Sequence, residues 1–310
     1  YFAEGYTGDG FQEYLCLGNP AEDEASAEIT YLYKDGSTAQ GDVIIPPASR
    51  TTLNVNADAG EDREISIMVT SQQGIVAERP MYFDYQGRWT GGHDTVGATT
   101  PSFLWYFAEG YTGAGFDEWI CVLNPNDAAA ELTFYFQTEE EGLKIESGLS
   151  VQAHSRASFR VNDLLEGKSY QTSLTLTSTQ AIVAERPMYF DYTGKGNRHW
   201  QGGHCVMGAT GLFREFFFAE GTTRDGFEAW ITVQNPSPID ITVNATYQLG
   251  EGQGGPVQAT YELPANTRRT IFLQDEVGKD KDVSVYLSST KSFLAERPMY
   301  FSYGGSGGYN

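Results

Sequence analysis

The chain has 310 residues, and its 41 acidic against 20 basic side chains give a formal net charge of −21. So acidic a chain is a poor partner for a nucleic acid or an anionic membrane surface, since like charges repel. Its 40% hydrophobic and 14% aromatic content is enough for packed cores, which argues against disorder, and no apolar run approaches the length of a membrane-spanning helix.

Repetition dominates the sequence. FAEG opens at residues 2–5, 107–110 and 218–221, and AERPMYF follows at 77–83, 184–190 and 295–301. The period suits one small domain. Three domains are expected, at 1–99, 106–210 and 217–310. The first two continue past AERPMYF as GGHDTVGAT and GGHCVMGAT, whereas the third stops at GGYN. A longer parent chain is therefore expected, with any signal or anchor outside this stretch.

Within each repeat, short runs rich in Val, Ile, Thr, Tyr and Phe alternate with Gly, Pro, Asn and Asp clusters. The third repeat shows seven predicted strands, at 216–220, 227–234, 241–249, 257–263, 269–272, 283–287 and 293–303. Seven strands per repeat predict an all-β chain of three tandem immunoglobulin-like antiparallel β-sandwich domains. A propeller blade would need four.

In chain order, each repeat begins with a FAEG strand carrying Glu4, Glu109 or Glu220. The glycine-bearing loop after it reads as a tight inter-strand turn, because no Lys-Ser/Thr and no helix follow as in a phosphate loop. The second strand is apolar on both faces (Tyr14-Leu15-Cys16-Leu17, Trp119-Ile120-Cys121-Val122, Trp230-Ile231-Thr232-Val233). That is the pattern of a strand packed on both sides or abutting a neighbouring domain, and the tryptophans read as core aromatics. PPASR, AHSR and PANTR read as hairpin connections leading into an outward Arg. Acidic clusters before the sixth strand offer weak calcium candidates, Asp58, Asp62, Asp280 and Asp282. Their spacing differs between copies and none fits an EF-hand loop.

AERPMYF contains a Pro, which lacks the ladder donor, so it is expected at a sheet edge or a bulge. Its Arg is expected to pair with the FAEG carboxylate of the same repeat: Arg79 with Glu4, Arg186 with Glu109, Arg297 with Glu220. Such a pair reads as a lock between first and last strands. The competing reading is a polar cradle for a ligand. Beyond it, Trp89, Trp200 and Tyr309 lie in Gly-rich stretches and are expected to be exposed, as glycan-contacting aromatics would be. The segments at 100–105 and 211–216 are greasy and are expected to pack between domains. Cys16 and Cys121 occupy equivalent positions of different repeats and are not expected to pair; Cys205 stands alone. No Ser–His–Asp order, no Cys–His pair in every repeat and no isolated acid/base carboxylate pair appears, so neither an enzyme nor a cofactor or metal is expected.

The motifs FAEGYTG…NP, PA-SR and VAERPMYF resemble a β-rich repeat of secreted and cell-surface proteins from bacteria, notably actinobacteria and related lineages. The resemblance covers nearly the whole chain and implies an extracellular or cell-surface setting; it implies no catalytic residues. The third repeat departs from the pattern at Thr222, Arg224 and Ala229. The expected function is a structural or adhesive repeat region, as spacer, stalk or fibre subunit, and the alternative is a carbohydrate-binding array. The expected partners are neighbouring domains of the longer parent, with self-association or a glycan beyond them, and neither nucleic acid nor membrane insertion.

Overall fold

The computed structural model describes residues 1–195, 197–303 and 306–309, with 303 and 306–309 described as backbone alone. The first repeat contains β1 (Phe11–Asn19), β2 (Ala25–Tyr33), β3 (Thr38–Ile45), β4 (Ser49–Asn54), one helical turn α1 (Val55–Ala59), β5 (Ile65–Ser71), β6 (Val76–Tyr85) and β7 (Trp89–Val96). The second contains β8 (Ser102–Phe107), β9 (Phe116–Asn124), β10 (Ala130–Thr138), β11 (Gly142–Val151), β12 (Ser155–Arg160), α2 (Val161–Leu164), β13 (Thr172–Thr193) and β14 (His199–Met207). The third contains β15 (Phe213–Phe218), β16 (Phe227–Asn235), β17 (Ile241–Leu249), β18 (Val257–Leu263), β19 (Thr267–Phe272), α3 (Leu273–Val277), β20 (Val283–Glu296), β21 (Met299–Tyr303) and β22 (Ser306–Tyr309).

All described ladders are antiparallel and each joins strands of one repeat. The first repeat stacks a β3-β2-β5 sheet on a β4-β1-β6-β7 sheet. In the second, the long strand β13 serves both sheets. Its first half pairs with β10 and β8, and its second half with β9 and β14. The fold is an all-β antiparallel sandwich. Its core follows from period-two alternation. In β2, Ala25, Ala27, Ile29 and Tyr31 point inward against Leu15 and Leu17 of β1 and Ile65 and Ile67 of β5.

Several expectations change. AERPMYF is not an edge strand: β6 lies between β1 and β7, and β7 is the edge. Pro80 still interrupts the ladder to β1, which pairs at Glu13↔Met81 and Cys16↔Glu78 but not between, because Pro has no N–H to donate. The added edge strand went unread because Gly91-Gly92 break its β-rich pattern in the middle. PPASR is not a hairpin, since β3 and β4 belong to opposite sheets and the turn carries the chain between them. The acidic loop is partly a helical turn, α1, whose first N–H groups are capped by Asn54 Oδ1 accepting from Ala57 N at 3.1 Å. The greasy segments are not inter-domain packing. They largely form β8 and β15, each an edge strand of the following repeat, with Trp105 in the core while Phe103 and Phe213 face solvent.

The Asn of the NP motif does more than end a strand. Buried Asn124 donates Nδ2 to the carbonyls of Ala128, Val151 and Gln152 at 2.9–3.1 Å, and its Oδ1 accepts from Asn126 N. Asn19 and Asn235 make the same set. Removing the amide strands several buried carbonyls at once. Asn124→Ala should therefore cost about 2–4 kcal/mol in urea denaturation, with Asn19→Ala and Asn235→Ala similar.

Candidate functional site: the junction between successive repeats

FAEG and AERPMYF meet in space. Phe2 bridges Ile67 of β5, and Ser66 Oγ donates to the Ala3 carbonyl at 2.5 Å. From β6, Arg79 donates Nη2 to Glu4 Oε2 at 2.6 Å and Nη1 to the Glu4 carbonyl. In the second repeat Arg186 treats Glu109 the same way, with Nη2 to Oε2 at 2.9 Å. In the third, Arg297 and Glu220 stand 3.7 Å apart. All three predicted pairs are thus brought together.

Each of the first two pairs is closed by a second carboxylate from the next repeat. Glu185 reaches across to Arg79 Nη1 at 3.1 Å and accepts from the N–H groups of Ala3 and Glu4. Glu296 reaches Arg186 Nη2 at 3.2 Å and accepts from Ala108 N at 2.6 Å. The next repeat also sends a Tyr: Tyr189 donates to Glu4 Oε1 at 3.2 Å, and Tyr300 is placed at 3.5 Å from Glu109 Oε1. An Arg completes the set. Arg156 pairs with Glu64 at 2.7 Å and donates to the Ala3 carbonyl, while Arg268 meets Gln171 Oε1 at 3.2 Å and the Ala108 carbonyl. Both junctions are therefore one device made twice.

Aromatics pack around it. Tyr189 stacks on Tyr85 at 4.1 Å and meets the edge of Phe83 at 5.0 Å; Tyr300 meets Tyr192 at 5.2 Å and Phe190 at 5.0 Å. The Gly-Gly of the GGH segment lets the β7 and β14 edges approach. A Cβ on Gly203 would meet Phe83 Cζ of the preceding repeat at 2.9 Å, and one on Gly91 would meet Gly202 Cα at 3.6 Å. A cavity of about 490 Å³ lies at the first junction and one of about 280 Å³ at the second.

The electrostatics are those of a buried ion cluster. Burial pushes the Glu4 carboxyl up, but Arg79, with His93, Cys205 and Tyr189, outweighs it and holds Glu4 below its ordinary value. Burial likewise acts on Glu109, and Arg186, His204 and Arg268 hold it down at about 2. Burial wins at Glu185, which is raised. It also lowers His93 to about 4, so that ring is neutral at pH 7. Glu4, Glu185 and Cys205 bring three ligand-type atoms within 4.8 Å of one another. Their lone pairs are already engaged by Arg79, two backbone N–H groups and the Cys205 thiol, which donates to Glu185 at 3.3 Å. Two further acids, Glu13 and Glu118, are pushed by burial to about 8, and each keeps one oxygen without a hydrogen-bond partner.

The other predicted residues fall elsewhere. Trp89 and Trp200 are not exposed: they are 8% and 1% accessible, held in the junction aromatics, with Trp89 Nε1 donating to Asp191 of the next repeat at 3.1 Å. Glycine marked close approach there, not an open surface. The side chain of Tyr309 lies outside the described residues. Asp58, Asp62, Asp280 and Asp282 join no cluster of three ligand groups among the described residues, and Asp282 is taken by Arg224. Trp119 and Trp230 sit at the junctions rather than in a sandwich core. The three cysteines are free. The sequence reading missed Glu185, Glu296, Tyr189, Tyr300, Arg156 and Arg268 as a set, although all lie in the repeated motifs.

No protein-family model matches the chain, and no curated protein matches it. Among solved structures it is similar to Thermotoga maritima 1070, at 19% identity and a TM-score of 0.30, over 35% of this chain and 94% of the other. It is also similar to the Anabaena sensory rhodopsin transducer, at 17% identity and a TM-score of 0.25, over 28% and 96%. A bacterial ice-binding adhesin of 1.5 MDa aligns over 92% of this chain and 83% of its own, at 11% identity and a TM-score of 0.14.

Arg79→Ala would leave Glu4 and Glu185 facing each other without a cation. It should cost about 3–5 kcal/mol and split a separate low-temperature transition from the calorimetric trace. A carboxyl whose pKa rises from 4.5 to about 8 on folding stabilises the fold fully below the lower value and loses that contribution as pH climbs to the upper one. Glu13→Gln and Glu118→Gln should therefore match the native chain near pH 4.5. By pH 8 they should exceed it by about 1–3 kcal/mol in pH-resolved denaturation.

Proposed function

We propose that this chain is a structural array, a run of β-sandwich repeats fixed to one another by a buried clasp, serving as spacer, stalk or fibre subunit of a secreted or cell-surface bacterial protein. One observation carries the reading. The same Arg–Glu–Glu–Tyr arrangement is buried at both junctions, so the two successive repeat pairs are set by the same contacts. A catalytic unit has no need of such a device between repeats. A load-bearing or distance-setting one does, since each added repeat then extends the array by a fixed step. The acidic surface keeps such an array soluble at high local concentration. The perturbed acids Glu13 and Glu118 fit burial rather than acid/base chemistry, because Ala229 takes their place in the third repeat. The glycan-binding alternative loses its exposed platform with Trp89 and Trp200 in the junctions.

Small-angle scattering of the purified chain should fit one fixed arrangement of the repeats, and Arg79→Ala combined with Arg186→Ala should broaden the distance distribution. A native chain that scatters as freely hinged beads would sink the proposal. Saturable binding to a glycan array or to insoluble cell-wall polysaccharide would move the assignment to carbohydrate recognition.

A further inference from the structure

The cavities at the two junctions are copies of one another with one telling difference. Tyr6, Tyr85, Trp119 and Tyr189 line the first, at the positions where Tyr111, Tyr192, Trp230 and Tyr300 line the second. Into the second the chain sends a side chain of its own. Lys195 places its ammonium 5.2 Å from the centre of the Trp230 ring and 4.6 Å from that of Phe272, with Asp275 at 3.0 Å. A primary ammonium over aromatic faces and beside a carboxylate is a favourable cation–π arrangement. Lys195 belongs to the second repeat and its three partners to the third, so this contact crosses the junction.

The first junction has the same aromatic wall without that lysine. Both hairpins are closed by the same pair, Tyr85↔Trp89 in one and Tyr192↔Trp200 in the other. The first turns at residues 86–88, whereas the second spans 193–199 and is long enough to carry Lys195 to Trp230. Among the described residues, no cation stands over the Trp119 ring. The first cavity is correspondingly the larger, about 490 Å³ against about 280 Å³. Its charges also favour a cation. Asp9 lines it where the second repeat has Ala114, and among the described residues Asp9 forms no ion pair. The basic groups of the lining, Lys34 and Arg156, are both taken by Glu64 at 2.7 Å. Arg160 stands opposite Trp119 where Phe272 stands opposite Trp230, and two carboxylates, Asp117 and Asp163, hold it.

We propose that the first junction binds an alkylammonium ligand, a primary amine with a stem like that of a lysine side chain, over Trp119 and beside Asp9. The second junction holds the same chemical group as part of the chain and so shows what this wall accepts. The inference goes beyond the array reading. The ligand touches Asp9 and Tyr6 of the first repeat and Trp119 of the second, so its binding favours the closed junction. A net charge of −21 draws cations toward the surface.

An NMR titration of the whole chain with n-butylammonium chloride at constant ionic strength tests it, read at the indole N–H signals of the five tryptophans, each assigned by a Trp→Phe replacement. The Trp119 signal should move saturably, with a Kd of about 0.1–10 mM, and the Trp230 signal should stay in place. N-butylacetamide, with the same stem and no charge, should move neither. Nα-acetyl-lysinamide forms a second arm: binding tighter than the simple amine assigns the site to a lysine side chain of a partner, and equal binding to a free amine, either of which supports the site. Asp9→Asn should weaken binding about fivefold or more. Asp9 is exposed, so this variant should melt as the native chain does. Lys195→Ala should open the second copy, and the Trp230 signal should then respond to the amine as well. No saturable movement at Trp119, a response that Asp9→Asn leaves unchanged, or a Trp230 signal still silent in Lys195→Ala would overturn the proposal. A fixed arrangement of the repeats in scattering needs no amine, so this failure and failure of the array reading are told apart.

Discussion

The structure turns on a buried guanidinium. Arg79 and Arg186 have no exposed side-chain surface, and an arginine does not shed its proton to escape burial. Desolvating that charge costs several kcal/mol, which only close and well-aligned carboxylates offset. One carboxylate comes from the same repeat and one from the next. The cation is therefore fully matched only when two repeats sit in the observed register. Replacing such a cluster with hydrocarbon would often be neutral for stability, so its value here lies in orientation: a greasy interface could slide, and this one has a single arrangement that satisfies its charges.

The third repeat shows the Arg–Glu pair by itself. Arg297 stands 3.7 Å from Glu220 and is partly accessible, and among the described residues no second carboxylate pairs with it. The same repeat carries Ala229 in place of the buried Glu13 and Glu118, and Thr232 in place of Cys16 and Cys121. Those substitutions leave the Arg–Glu pair in place, which separates the parts of the clasp from the groups packed around it. Glu13 and Glu118 adjust by holding their proton; they do not supply the charge that binds the repeats.

The repeats, the antiparallel sandwich and the three Glu–Arg pairs were legible in the sequence, because each depends on motifs that recur within one unit. The second carboxylate was not. Glu185 lies on the opposite face of its strand from Arg186, and its cationic partner lies outside its own repeat. No spacing within a repeat points to Arg79 more than a hundred residues earlier. The one visible sign was the second strand, apolar on both faces, whose outer face turns out to be the covering for the preceding repeat. The Gly-rich ends misled for a physical reason. Glycine was read as a mark of exposure around Trp89 and Trp200, whereas Gly91 and Gly203 are needed for two strand edges to close on Phe83.

Repetition also explains why the junction is built from main-chain groups as much as side chains. The Ala3 and Ala108 carbonyls accept from an incoming Arg, and their N–H groups donate to an incoming Glu. A side-chain lock can be lost by one substitution, but these donors and acceptors persist whatever residue stands there, provided it is small enough to admit the neighbour. FAEG supplies that condition with Ala, whose Cβ is fully buried at both closed junctions. The motif thus encodes a socket of fixed backbone polarity and little bulk, and AERPMYF encodes both the cation beneath that socket and the carboxylate that enters the socket of the preceding unit. Two short motifs carried by every unit specify both sides of the interface. Any unit so built can follow any other, and coupling between units passes only through nearest neighbours.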